Sequence, residues 1–323
     1  IARLHGVEAA RVVIAGSGSE FIFRMTACIA RDGCRIISVP RHAYGDYAAA
    51  ASAWGLRVRR RGAGRSGERD GDRNGAREDE WDDEPGGEQD GDRSRDRGRD
   101  RDAAGGLDPD VDLAWACDPS SPLGRAEPVF THRAPIVLDC AYEPLRLSGA
   151  SAWDGARRDR AWRLYSPNKA LGLPGVRGAY ALAPAGSDRR VQALQRMAPS
   201  WVLGAHGAAM LIAWSQPGTQ AWLLSSHERL RVWKQAQMGM LRAHGWHCLD
   251  SDTSFFCARP PEPLARVGAR LLDALRREGV KLRDARSFGL DGHVRISVQP
   301  PPAQQALEAA LRRLAVRTEE ART

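Results

Sequence analysis

Lys169 stands in the stretch RLYSPNKALGLPGVRGAY, residues 163–180, as one ammonium among small, apolar and glycine residues. It follows a β-type run, Trp162 to Tyr165, and leads into an apolar, Gly-containing loop. In such a setting an ammonium loses water, its pKa falls towards neutrality and the lysine becomes a nucleophile. Ser166 lies three positions before it and Arg177 eight positions after. One is a hydroxyl donor and the other a planar guanidinium fork, and both types suit a phosphate. A Schiff-base lysine beside a phosphate cradle points to pyridoxal 5′-phosphate as cofactor. Read alone, Lys169 is far more often an ordinary solvated lysine, so the weight falls on the residues that accompany it.

Those companions sit at the ends of predicted strands. RVVIA, residues 11–15, is a short β-branched run, followed by GSGSE and then by FIFRMTACIA with helical apolar spacing. The N–H groups of Gly18, Ser19 and Glu20 would open that helix, and a helix start preceded by Gly and Ser is an anion site. The stretch fits neither GxGxxG nor the P-loop, which excludes the simplest nucleotide readings. CRIISVP, residues 34–40, reads as a buried strand, and Tyr44 follows at its carboxyl end, where open α/β sheets place ligands; packing against the next helix is its plainer role. LRVRR, residues 56–60, is a third strand. Val111 to Cys117 is a further strand, ending in the two-proline turn DPSSPLG that contains Ser121. A strand from Ile136 to Leu138 then ends on Asp139, with Tyr142 just beyond. An aspartate past a buried strand is costly without a cationic or N–H partner, and a protonated pyridine nitrogen would be such a partner.

Strand and helix patterns that alternate, with chemistry at several strand ends, predict an α/β fold with a mainly parallel sheet over residues 1–198. That unit is interrupted at 62–106, where Arg, Asp, Glu and Gly dominate; a stretch so poor in apolar residues is expected to be a disordered surface insertion. From 199 to 323, long helical stretches surround the short strands TSFFCA and HVRISV and give way to a final helix, which predicts a smaller α+β domain. The formal net charge is +8, but the arginines are scattered and no aromatic stripe accompanies them, so no nucleic-acid partner is expected. The six cysteines follow no metal spacing and most lie in apolar runs, which favours reduced thiols and a cytoplasmic setting without a metal. No apolar run reaches the length of a membrane span. The chain opens on Ile1 close to a strand, so an N-terminal portion is expected to be absent.

Taken in order, GSGSE, AYGDY, DPSSPLG, DCAY, SPNKALGLPGVR and RDARSFGLDGHVRISV resemble the fold-type I pyridoxal-phosphate enzymes of aminotransferase class I/II, in particular the branch of histidinol-phosphate aminotransferases and threonine-phosphate decarboxylases. The resemblance implies that Lys169 anchors the cofactor, Asp139 keeps its ring nitrogen protonated, Tyr142 bonds its phenolic oxygen and Tyr44 stacks on its ring. It implies that Ser166, Arg177 and the Gly18–Ser19–Glu20 turn hold the phosphate, that Arg295 binds the substrate's anionic group, and that Arg283 is a second anion ligand. It implies a homodimer acting on a small-molecule substrate, an amino acid or phosphorylated amine. Ser121 stands where the family's NPxNPTG turn carries an asparagine towards the ring oxygen, and the family's N-terminal arm has no counterpart. Transamination is the expected reaction; decarboxylation of threonine phosphate in cobalamin synthesis uses the same electron sink, and a degenerate, non-catalytic relative is the third reading.

Overall fold

The computed structural model describes residues 1–62, 109–262 and 269–320. The chain enters through a short helix α1 (Ala2–His5) and a 3₁₀ turn (Ala9–Arg11) before β1 (Val12–Ala15), so helical structure precedes the first strand. Helix α2 (Gly18–Arg31) starts with a capping box. Ser17 Oγ accepts from the Glu20 N–H at 3.0 Å, and the Glu20 carboxylate reaches back to the Gly16 N–H at 3.1 Å. Phe21, Ile22, Met25, Cys28 and Ile29 recur at helical spacing and are all buried; each large apolar side chain among them contributes about 1.5–3 kcal/mol of burial. Strand β2 (Ile36–Pro40), helix α3 (Gly45–Ala53) and strand β3 (Arg57–Arg61) follow.

After the charged stretch, which apart from Gly62 lies outside the described residues, come β4 (Leu113–Cys117), β5 (Ile136–Asp139), α4 (Gly155–Asp159), β6 (Trp162–Tyr165) and β7 (Ala179–Leu182). These strands form one seven-stranded sheet in the order β1-β7-β6-β5-β4-β2-β3. The pairs from β3 through β2, β4 and β5 to β6 are parallel, whereas β7 runs antiparallel to both β6 and β1. Strands β2, β4, β5, β6 and β7 are buried along their whole length, as a sheet covered on both faces requires. The edge strand β3 carries Arg57, Arg59, Arg60 and Arg61, a charged edge that resists pairing with another strand.

Helix α5 (Asp188–Arg196) covers one face together with α2 and α3. On the other face lie α6 (Ala205–Trp214) and the start of α7 (Pro217–Ala243), through Met210, Leu211, Trp214 and Leu223. The remainder of α7, with α8 (Ala269–Arg277) and α9 (Pro301–Glu320), packs on a second, antiparallel sheet. Its strands are β8 (His247–Cys248), β9 (Phe255–Arg259), β10 (Arg283–Asp284) and β11 (Val294–Ser297), in the order β10-β11-β9-β8. Among the described residues no helix is long and apolar enough to cross a membrane.

Candidate active site

Strand direction decides which residues meet. The carboxyl ends of β2, β4, β5 and β6 lie along one edge of the large sheet, and because β7 is antiparallel to β6, its start lies along that edge too. Strand β1, antiparallel to β7 with Ala15 opposite Ala179, ends there as well. The edge therefore gathers Ser17, Gly18 and Ser19 after β1, Tyr44 after β2, Cys117 and Ser121 at the end of β4, and Asp139 and Tyr142 at the end of β5. Ser166, Asn168 and Lys169 follow β6, and Arg177 and Gly178 precede β7. All of them line one cavity of about 240 Å³, which the small sheet closes with Arg283, Phe288 and Arg295. A wider cleft of about 1440 Å³ adjoins it, sharing Lys169, Arg177, Arg283 and Arg295.

Asp139 is 6% exposed. Its Oδ1 accepts from the Ala141 N–H at 2.9 Å and its Oδ2 from the Tyr47 hydroxyl at 2.7 Å. Tyr47 is fully buried and stacks on Trp115, with ring centroids 4.8 Å apart. Burial, and then the Asp139 carboxylate, push the Tyr47 hydroxyl well above its ordinary pKa, so it remains a donor. The same two causes push the Cys117 thiol up. Asp139 is thus a buried carboxylate held by two neutral donors, an arrangement that favours a cationic partner in the cavity. Tyr142 packs edge-on against Phe255 of the small sheet, centroids 4.8 Å apart.

The cradle residues come from the neighbouring side of the sheet. A Cβ on Gly18 would lie 2.7 Å from Ser166 Oγ, so only glycine lets the start of α2 approach that hydroxyl. A helix leaves its first-turn N–H groups without intrahelical partners, and here Gly18 and Ser19 border the cavity. Glu20 does not line it: its N–H is bonded to Ser17 Oγ, and its carboxylate pairs with Arg24 at 2.9 Å. Tyr44, at the N-cap of α3, bonds Ser19 Oγ through its hydroxyl at 3.2 Å. Arg177 is held through its backbone, because Gly207 in α6 packs so closely on the Arg177 carbonyl that a Cβ there would collide with it.

Lys169 is solvent-exposed, with Nζ 5.6 Å from the centroid of the Tyr142 ring. The burial expected from its apolar loop is not supplied by the chain: residues 172–175 form turns with exposed side chains, and water reaches the ammonium.

The small sheet presents two arginines on one face. Arg283 and Arg295 are directly opposite in the β10–β11 pair, an arrangement of like charges that destabilises strand pairing. Both guanidiniums lie over Phe288, at 5.5 and 5.4 Å from its centroid, and Arg295 also lies over Phe255. Arg295 donates to Ser121 Oγ at 3.2 Å. Phe288 is fixed to the large sheet by a 2.8 Å hydrogen bond between its carbonyl and His42 Nδ1. The next residue, Gly289, has φ +74° and comes so close that a Cβ would be 3.4 Å from that nitrogen.

The turn carrying Ser121 is fastened by Asp118, which accepts from the Glu127 N–H and from Ser151 Oγ and pairs with Arg146 at 2.9 Å. Arg146 also reaches Asp252, at 3.5 Å, in the loop ahead of β9. Tyr47, His42, Asp118 and Arg146 were not among the residues singled out from sequence. Tyr47 had a signal, as the second tyrosine of AYGDY just beyond β2; the other contacts join segments far apart in the chain.

A mainly parallel sheet with its cavity at the carboxyl edge, closed by a smaller antiparallel sheet, is the architecture of fold-type I pyridoxal-phosphate transferases. The solved histidinol-phosphate aminotransferase from Clostridium acetobutylicum superposes with a TM-score of 0.70 at 15% identity, covering 97% of this chain and 86% of that one. L-threonine-O-3-phosphate decarboxylase from Porphyromonas gingivalis does so with a TM-score of 0.65 at 19% identity, covering 97% and 86%. At these identities the likeness is one of fold. In sequence, histidinol-phosphate aminotransferase of Jannaschia sp. is 25% identical over 330 residues, covering 96% of this chain and 79% of the relative. Histidinol-phosphate aminotransferase 1 of Cupriavidus pinatubonensis is 29% identical over 227 residues, covering 65% and 57%. The family model for aminotransferase class I and II matches residues 126–314, more than half of the chain, and the chain belongs to that family.

Proposed function

We propose that the cavity binds pyridoxal 5′-phosphate through Lys169 and that the protein is an aminotransferase for an amino acid or phosphorylated amine, similar to histidinol-phosphate aminotransferase. One observation carries this reading. A single cavity joins a buried carboxylate, Asp139, to a cradle of helix start, hydroxyl and guanidinium at Gly18, Ser19, Ser166 and Arg177, with Lys169 as its lysine. Sheet order separates the two groups, since β1, β7 and β6 carry the cradle while β5 and β4 carry Asp139 and Ser121. The residues fit the cofactor's chemistry: an anion site, a carboxylate that calls for a cation, and a primary amine.

When bound, the cofactor supplies an electron sink for the pair released at the substrate Cα. Asp139 holds a proton on the ring nitrogen. Ser166 Oγ, Arg177 and the Gly18 and Ser19 N–H groups bind the phosphate. Tyr142 would donate to the ring's phenolic oxygen, and Tyr44 would pack on the ring. Ser121 keeps Arg295 in place. Lys169 Nζ would anchor the cofactor and, freed when the substrate's own amine displaces it, would be the base for the Cα proton, while Arg295 and Arg283 would hold the anionic end of the substrate.

Addition of pyridoxal phosphate to the purified protein should produce the absorbance band of a lysine-bound cofactor, and Lys169→Ala should abolish it. No band, or a band that survives the substitution, refutes the reading. Amino transfer to 2-oxoglutarate then distinguishes transamination from decarboxylation, in which carbon dioxide is released from threonine phosphate.

A further inference from the structure

A buried tyrosine needs an acceptor for its hydroxyl proton, and a backbone carbonyl usually serves. Tyr47 has instead a carboxylate at the centre of the cavity edge, bonded at 2.7 Å. Its ring is fully buried and lies nearly parallel to Trp115, with an interplanar angle of 11°, so its hydroxyl oxygen is fixed beside Asp139, with the Cys117 thiol as a second neighbour. The Ala141 N–H holds the other carboxylate oxygen at 2.9 Å. Asp139 is therefore gripped from both sides before any ligand arrives, and it lines the cavity while Tyr47 does not.

Resting on the cofactor reading above, we propose that Tyr47 is a positioning residue for the ring-nitrogen site, acting through Asp139 to keep its carboxylate aimed at a protonated heterocyclic nitrogen. A hydrogen bond donated to a carboxylate stabilises the charged form over the protonated one. Without it, one carboxylate oxygen would lose its donor and the carboxylate would be free to turn from the ring nitrogen, so the contact between them would weaken. Tyr47 donates to Asp139 across the whole neutral range, because burial and the neighbouring carboxylate raise its own ionisation far out of that range. The effect is thus selective: it concerns ligands whose ring carries a nitrogen and is indifferent to those that lack one.

The test compares the binding of pyridoxal phosphate with that of its 1-deaza analogue, which has a carbon in place of the ring nitrogen. Tyr47→Phe keeps the ring and removes only the hydroxyl. The variant is expected to lose about tenfold or more in affinity for pyridoxal phosphate and to bind the analogue as the parent protein does. A variant that loses both ligands equally shows a packing role and overturns the inference, as does one that loses neither. Asp139→Asn supplies an independent arm. Adding Tyr47→Phe to it should cost no further affinity if Tyr47 acts through the carboxylate, and an additive loss overturns the proposal. A parent protein that binds neither compound would refute the cofactor reading itself, an outcome distinct from a parent that binds and a variant that fails to discriminate.

Discussion

Replacing Arg146 with methionine tests how the turn that carries Ser121 is held. The side chains of Asp118 and Arg146 are 1% and 11% exposed and their charged atoms are 2.9 Å apart. Removing one partner from a buried pair leaves the other charge without compensation, which costs about 3–5 kcal/mol. Asp118 would keep two donors, Ser151 Oγ and the Glu127 N–H, so the expected loss is near the lower limit, about 3 kcal/mol. Arg146 also reaches Asp252, but that carboxylate is more exposed and contributes less. The assay is urea unfolding at neutral pH, followed by circular dichroism, on Arg146→Met, Asp118→Asn and the double variant. Neutralising Asp118 removes the stranded charge, so the double variant should recover most of the stability lost by Arg146→Met. A loss below about 1 kcal/mol in the single variant, or a double variant no more stable than the single, would show that the pair does not hold the turn.

Gly18→Ala should preserve the fold but weaken cofactor binding, because the new Cβ would lie 2.7 Å from Ser166 Oγ; titration with pyridoxal phosphate measures the effect. Asp139→Ala should retain a lysine-bound cofactor and lose most turnover, and a variant with parental activity would count against its role. His5 provides a pH test. It bonds the Tyr180 hydroxyl at 2.8 Å, and burial, with Arg163 and Arg158 nearby, lowers its pKa from 6.5 to about 4. Between those values the unfolded chain binds a proton that the folded chain does not, so the contribution is complete above pH 6.5 and is lost as the pH falls towards 4. The full shift is worth about 3 kcal/mol, which solvent at this partly exposed site reduces to about half. Unfolding free energies at pH 7 and pH 5 should reveal it, and His5→Asn should remove the difference.

The strands of the large sheet were legible because they are short β-branched or apolar runs bounded by Gly, Pro or Asp, as in RVVIA, CRIISVP and the run ending on Asp139. Their ends carry the candidate residues, which is why Asp139, Tyr142, Ser166, Lys169 and Arg177 could be expected along one edge without coordinates, and they do line one cavity. Glu20 opens the same helix as the cradle residues, but capping by Ser17 takes up its N–H, and only the hydrogen-bond geometry reveals that. The exposure of Lys169 was hidden by the apolar letters around it, since Leu, Pro and Gly also suit a surface turn. Contacts between distant segments leave no local pattern. The His42–Phe288 bond spans 246 positions and the Tyr47–Asp139 bond 92, and neither depends on a periodicity that one stretch could display.

The opposed arginines of β10 and β11 would make the small sheet a sensor of any anion bound between them. Strand pairing there works against electrostatic repulsion, so an anion that bridges Arg283 and Arg295 stabilises the fold as it binds, by an amount set by its concentration relative to its dissociation constant. A melting-temperature screen of carboxylates and phosphate monoesters would therefore rank substrate head groups before any turnover is measured. Arg283→Gln should flatten that ranking for a ligand that needs both guanidiniums, and leave it intact for one that needs only Arg295.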